Sequence, residues 1–375
     1  MAKASVKAQP GTAASQAIAS WTTASRTAAA WTIALVATAL PTTAPSAIAP
    51  SAIRPQPAEL PTAAPSPGLP PLDASTSLLV VSPHPDDETL CCAGVIRRVL
   101  AAGGHVSVVW ITSGDGSALS MLFTEKSLFK PVGKVHDLAA KRMLEARTAT
   151  GILGVSHTQQ YFLGYPDGGI LELVTTHRSI PLPAKFTGET RVPYSEALFP
   201  GHPYTGDSLE KDFEAVLGRV QPNLILTPSP ADTHPDHAAS GMMVREVLNR
   251  RGELANARYW IVHGGEGWPS PRGYMPSIPL NIPPRGADLQ PREFTLTDAE
   301  EALKHQAVTA YNTQMQFMAP FLLAFVRTSE LYSVLAVPVP KAPWAFATDQ
   351  PAAPTPRQSA PGPSPPNPSA ANSAD

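Results

Sequence analysis

The sequence predicts an α/β fold, a Rossmann-like three-layer sandwich around a mostly parallel central sheet. Three observations carry that expectation. Apolar runs of strand length alternate with segments of helical periodicity from residue 77 to residue 264; that order calls for crossover connections and a parallel sheet. The first run, "SLLVVS" at 77–82, is apolar almost without interruption, as in a strand covered on both faces. The segments after the first two strands close on glycine, at Gly103 and Gly154, a helix-stop signal.

The elements follow in order. "TLCCAGVIRRVLAAGG" has helical spacing, and "HVSVVWIT" (105–112) is the second strand. A helix is expected over 136–154, a short strand over 158–164, a helix over 206–220 and a strand over 223–228. "HPDHAASGMMVREVLNR" (234–250) opens a helix at its Pro, "ARYWIVHG" (257–264) reads as a last strand, and 297–318 as one C-terminal helix. Between the third strand and the 206–220 helix, Leu171 to Thr205 has no clear periodicity. A loop that long is usually functional or disordered. Its aromatics Phe186, Tyr194, Phe199 and Tyr204 either stack on a ligand or pack the loop down.

Composition divides the 375 residues. Ala, Ser, Thr and Pro dominate 1–75, and Pro dominates 338–375. Neither can bury enough apolar area to offset chain entropy, so both are expected to be disordered. Residues 76–337 remain as one α/β domain. The formal net charge of −2 offers no basic face for nucleic acid. Within the N-terminal segment, the apolar run 28–40 follows Lys3, Lys7 and Arg26 and precedes small residues. It is too short for an ordinary membrane span and fits a secretory signal. The domain is therefore expected to be exported, secreted or tethered outside; a cytoplasmic low-complexity tail is the alternative. Cys91 and Cys92 are neighbours on a helix, where a bond between them would be strained, so they are read as small core residues without a disulfide framework.

Two polar loops fall where apolar strands end. "HPDDE" (84–88) follows the first strand and "HPDH" (234–237) follows "NLILTP". Sites in parallel sheets form beyond the strands' carboxyl ends. His84 and Asp87 sit three apart across a turn stiffened by Pro85; His234 and His237 sit three apart around Pro235, on one helical face. Capping would explain either loop alone. Two His-bearing loops at one sheet edge point instead to a shared metal centre. Two His and one carboxylate leave an open position on tetrahedral Zn²⁺ and also suit Fe²⁺.

These motifs resemble the PIG-L/LmbE-like family of zinc-dependent N-acetylglucosaminyl deacetylases. "ITSGDG" (111–116), "KRMLEARTATGILGV" (141–155), "YFLGYPDGG" (161–169) and "KHQAVTAYNTQ" (304–314) extend the likeness. The resemblance implies that His84, Asp87 and His237 bind zinc. It implies that Asp86 is the general base and that His234 stabilises the oxyanion and helps the amine leave. A metal acidifies bound water, and Asp86, adjacent in chain to a ligand, is placed to take its proton.

Substrate contacts are expected from Asp115 and Asp167 in turn-like loops, from Arg142 on its helix, and from His263 at a strand end. Glu88 is read as supporting the first helical turn or orienting a ligand. The resemblance implies hydrolysis of the acetamide of an N-acetyl amino sugar, free or in a glycan or glycolipid. Export would place that partner near a membrane or envelope. Two alternatives stay open: a metallohydrolase of a non-sugar N-acyl amide, and an inactive glycan-binding module.

Overall fold

Five strands form one wholly parallel sheet: β1 (Ser77–Ser82), β2 (His105–Thr112), β3 (Gln160–Tyr165), β4 (Leu224–Pro228) and β5 (Ala257–Trp260). This computed structural model describes residues 68–116, 132–334 and 336. The apolar segment 28–40 and the Pro-rich tail from 338 lie outside them. Among the described residues no helix is long and apolar enough to cross a membrane.

The sheet order is β3-β2-β1-β4-β5. Leu78, Leu79, Val80 and Val81 of β1 are all fully buried, so both faces of the central strand are covered. The helices make two groups. α1 (Asp87–Ala101) and α2 (Val132–Ile152) pack with α6 (Asp298–Thr309); α3 (Ile170–Thr175) and α4 (Gly206–Val220) pack with α5 (Pro235–Arg251). The sheet lies between the groups, as the α/β expectation required. Chain direction across the sheet reverses between β1 and β4, so a crevice opens beyond their carboxyl ends, the usual ligand position in such sheets.

The C-terminal helix expected as one piece is two, α6 and α7 (Asn312–Leu322). Tyr311 breaks it with φ −80° and ψ 65°. The break turns three side chains inward: the Tyr311 hydroxyl donates to Glu88, Thr313 Oγ1 donates to Glu145 at 2.6 Å, and Gln314 Nε2 donates to the Pro85 carbonyl at 2.9 Å. Tertiary hydrogen bonds thus outweigh helix continuity. A two-stranded antiparallel pair, β6 (Arg292–Thr295) with β7 (Ser329–Tyr332), was not anticipated, because four residues a side show too little alternation to read. The buried Lys304 ammonium ties this region to α1, reaching Glu330 at 2.8 Å and the Leu90 carbonyl at 2.8 Å.

Three other expectations change. β5 stops at Trp260 rather than running to 264, because Asp232 Oδ2 takes the N–H groups of Val262 and His263 that a strand would pair. The 171–205 section is packed down: Leu198 N donates to the Phe162 carbonyl at 2.7 Å, and Tyr194 and Tyr204 are buried, so those two rings serve the core rather than a sugar. Cys91 and Cys92, expected as separate thiols, are joined sulfur to sulfur; both are buried, and a bond between neighbours closes no loop. Packed chain also begins ahead of residue 76, since Arg258 Nε donates to the Gly68 carbonyl at 2.7 Å and Leu69 and Leu72 lie against the core.

Candidate active site

The loop after β1 is held tightly. Pro83 O accepts from Thr112 N and Oγ1, both at 3.0 Å, and Ser82 Oγ donates to His84 O at 2.6 Å. α1 begins at Asp87, and the residue before it, Asp86, holds φ 136°. A non-glycine residue there is strained, and strain persists only where the surroundings impose it. Here Asp86 N donates to Glu88 Oε2 at 3.2 Å, and Asp86 O accepts from Thr89 N and Oγ1 at 2.9 and 2.8 Å. Glu88 in turn accepts from Trp110 Nε1 at 2.9 Å and from the Tyr311 hydroxyl. Burial pushes its carboxyl up to about 7.

The loop after β4 mirrors it. His234 caps α5, its Nδ1 accepting from Asp236 N at 3.2 Å, and Pro235 follows at the first helical position. α5 can come close because Gly241 has no side chain: a Cβ there would sit 2.3 Å from the Pro228 carbonyl. His237 lies one turn earlier, fully buried.

The two loops bring three predicted ligands together. His84 Nδ1 is 3.1 Å from His237 Nε2, His237 Nε2 is 3.2 Å from Asp87 Oδ2, and His84 Nδ1 is 3.4 Å from Asp87 Oδ2. Ligands about 2.0–2.1 Å from a tetrahedral ion stand roughly 3.3 Å apart, so the spacing fits a divalent ion. The remaining ring nitrogens agree. His237 Nδ1 faces Asp232 Oδ2 at 3.2 Å, and His84 Nε2 faces Asp236 at 3.2 Å and Asp167 at 3.4 Å. A carboxylate on one nitrogen keeps the proton there and leaves the other nitrogen's lone pair for a metal. His234 is adjacent, its ring 4.9 Å from those of both His84 and His237.

The charges sort accordingly. Burial works against ionisation of Asp87, but His237 and His84 outweigh it and hold its carboxyl well below the usual range. Burial opposes the charge of His237, yet Asp87 and Asp232 raise it to about 10. Asp86 goes the other way: burial and the neighbouring Asp87 charge raise its carboxyl well above normal. Two adjacent carboxyls pushed apart in this manner are suited to different tasks. Burial and the surrounding imidazoles lower His234 to about 2, so it is neutral at physiological pH. Its Nδ1 is an acceptor from Asp236 N, which places the proton of the neutral ring on Nε2.

A cleft of about 230 Å³ opens over these groups, its walls including Asp86, Arg142, Asp167, His234, His263 and Gln314. Arg142 is 4% exposed and spans the rim, donating to the Gly114 and Pro85 carbonyls at 2.8 and 3.2 Å. Gly114, at φ 70°, leaves room for it; a Cβ would lie 2.5 Å from the guanidinium. His263 stands edge-on to His237 with ring centres 4.8 Å apart and stacks on Phe321. Burial lowers it to about 4. Asp115 is not among the lining residues: it sits behind Asp167, accepting from Asp167 N at 3.0 Å and the Tyr194 hydroxyl at 2.5 Å.

Sequence reasoning gave no role to Asp232, Asp236 or Gln314. Asp232 lies five residues before His237 within the polar run already singled out, but nothing in its spacing distinguishes it from a loop Asp. Asp236 accepts from Gly168 N at 2.7 Å and Ile170 N at 3.1 Å, contacts made across the fold.

Fold and site together define a parallel-sheet α/β protein with a His/Asp group suited to a divalent ion at its switch point. Residues 79–248 match the family described as PIG-L: GlcNAc-PI de-N-acetylase. The chain is similar to diacetylchitobiose deacetylase of Thermococcus kodakarensis, 25% identical over 48% of this chain and 52% of that protein. It is similar to 1D-myo-inositol 2-acetamido-2-deoxy-alpha-D-glucopyranoside deacetylase of Mycobacterium sp. (strain KMS), 25% identical over 51% of this chain and 56% of that protein. The chain thus spans little more than half the length of these curated relatives. Among solved structures it resembles N,N'-diacetylchitobiose deacetylase from Pyrococcus horikoshii, with a TM-score of 0.42 and 21% identity over 69% of this chain and 83% of that one.

Proposed function

We propose that the protein is a metal-dependent N-deacetylase acting on an N-acetylglucosamine-type amino sugar. One observation carries the reading: His84, Asp87 and His237 converge at 3.1–3.4 Å with the raised carboxyl of Asp86 beside them. The relatives named above, deacetylases of acetamido sugars, support the substrate class.

His84, Asp87 and His237 would hold the ion, zinc in this reading, with Fe²⁺ suiting the same donors. Bound there, a divalent ion acidifies water and polarises an amide carbonyl. Asp86 takes the proton of the attacking water as general base. Water oxygen bonds to the acetyl carbon, the C–N bond breaks, and the proton passes to the departing amine nitrogen, giving acetate and a free amine. His234 is neutral and still carries a proton on Nε2, so it stabilises the developing oxyanion as a hydrogen-bond donor rather than as a full cation. Arg142, Asp167 and His263 line the space the sugar would occupy; Asp115 acts by fixing Asp167. Asp232 and Asp236 orient the ligand rings.

The test is acetate release by the metal-loaded protein from a panel of N-acetyl amino sugars, sugar-containing envelope fragments and simple N-acyl amides. Release from sugars alone supports the reading. Release from the simple amides alone replaces it with the N-acyl amide reading, and release from none would leave a glycan-binding module.

A further inference from the structure

We infer that Gln314 is a positioning residue for Asp86; this rests on the deacetylase reading above. Gln314 is 1% exposed and forms part of the cleft wall. Its Nε2 has two protons and two acceptors: the Pro85 carbonyl at 2.9 Å and Asp86 Oδ2. That pair of contacts fixes which end of the amide is nitrogen, since a flipped carbonyl would face two other acceptors.

Both contacts bear on the strained residue of the site. Asp86 holds φ 136° at the start of α1, and Gln314 grips the peptide oxygen before it and the carboxylate beyond it. A donor on Oδ2 stops the carboxylate from rotating and leaves Oδ1 as the oxygen that takes the proton. The helix break at Tyr311 is what aims Gln314 here. Tyr311 and Thr313 bind Glu88 and Glu145 from the same short segment, so the segment is anchored on either side of the base.

Gln314 Oε1 is buried and has no hydrogen-bond partner among the described residues, so the side chain acts on the site through its Nε2 donors.

The experiment uses the full metal-loaded chain with an N-acetyl amino sugar. Gln314→Leu and Gln314→Glu are compared with wild type for kcat, KM, bound metal and thermal midpoint. Glu keeps the shape but, ionised, removes the donor. Both variants are expected to lower kcat about 100-fold, the scale of a misplaced catalytic group, with KM and bound metal near wild type. Normal kcat in either folded variant overturns the positioning role, and so does metal loss in step with activity. Absence of acetate release by wild type overturns the deacetylase reading itself, before any variant is measured.

Discussion

Nδ1 of His84 and Nε2 of His237 face each other across 3.1 Å, although 153 positions separate the two residues in sequence. Each ring has its other nitrogen against a carboxylate, Asp236 and Asp167 for His84 and Asp232 for His237. With their other nitrogens held against carboxylates, the two rings turn the facing nitrogens toward a position that a divalent ion would fill. The carboxylates behind the rings keep them in that orientation, and Asp87 Oδ2 completes the triangle.

It follows that metal affinity depends on the residue behind the ring as well as on the ring. His237→Ala is expected to abolish tight metal binding. Asp232→Asn should retain the fold and weaken metal affinity about 10- to 100-fold, as loss of an orienting carboxylate typically does. Titration with a competing chelator reads both; an Asp232→Asn variant with wild-type affinity would break the link between that carboxylate and the ion.

Asp86→Asn separates base from ligand. The side chain keeps its size, and the three ligand atoms are untouched, so metal content should stay at wild type. Turnover should fall about 10²- to 10⁴-fold. Activity close to wild type would assign the proton transfer to another group.

Stability can be challenged far from the chemistry. Lys304 and Glu330 are both fully buried and paired at 2.8 Å. Removing one partner leaves a buried charge, at a cost of about 3–5 kcal/mol. Lys304→Met should therefore lower the thermal midpoint by several degrees, and Lys304→Met with Glu330→Gln should recover part of the loss. If the double variant is as unstable as the single one, the uncompensated charge is not the cause.

The parallel core was legible because its signals are local. Val, Leu and Ile runs such as 77–82 mark buried strands, and the His-Pro-Asp repeats mark the loops that follow them. β1, β2 and α4 fall where periodicity put them. What could not be read depends on contacts between distant segments. The Tyr311 break exists because a hydroxyl finds Glu88, 223 positions away in sequence. Asp232, Asp236 and Gln314 have ordinary loop or helix contexts, and only the fold shows what they touch. Asp115 is the converse case: its position after β2 suggested the cleft, but Tyr194 from the 171–205 section covers it.

That buried carboxyl makes the last prediction. Burial, together with the negative charge of Asp167, pushes Asp115 up to about 6, whereas in the unfolded chain it titrates at about 3.9. Between about pH 4 and pH 6 the folded protein therefore keeps a proton that the unfolded chain has released. The folded state binds more protons in that window, so stability falls as pH rises through it. Below the window both states are protonated and the contribution is level; above it both are ionised and the loss is complete. Two units amount to about 2–3 kcal/mol. Asp115→Asn cannot ionise and lacks this descending limb. Groups away from Asp115 titrate alike in both proteins and cancel, and Asp167, whose carboxyl is held well below the usual range by His84 and Arg142, adds no step within the window. The unfolding free energy of wild type minus that of Asp115→Asn, followed by denaturant titration from pH 4 to pH 7, should drop by about that amount. A difference that stays flat would mean Asp115 is ionised throughout, with the Tyr194 hydroxyl and the Asp167 N–H sufficient to hold its charge.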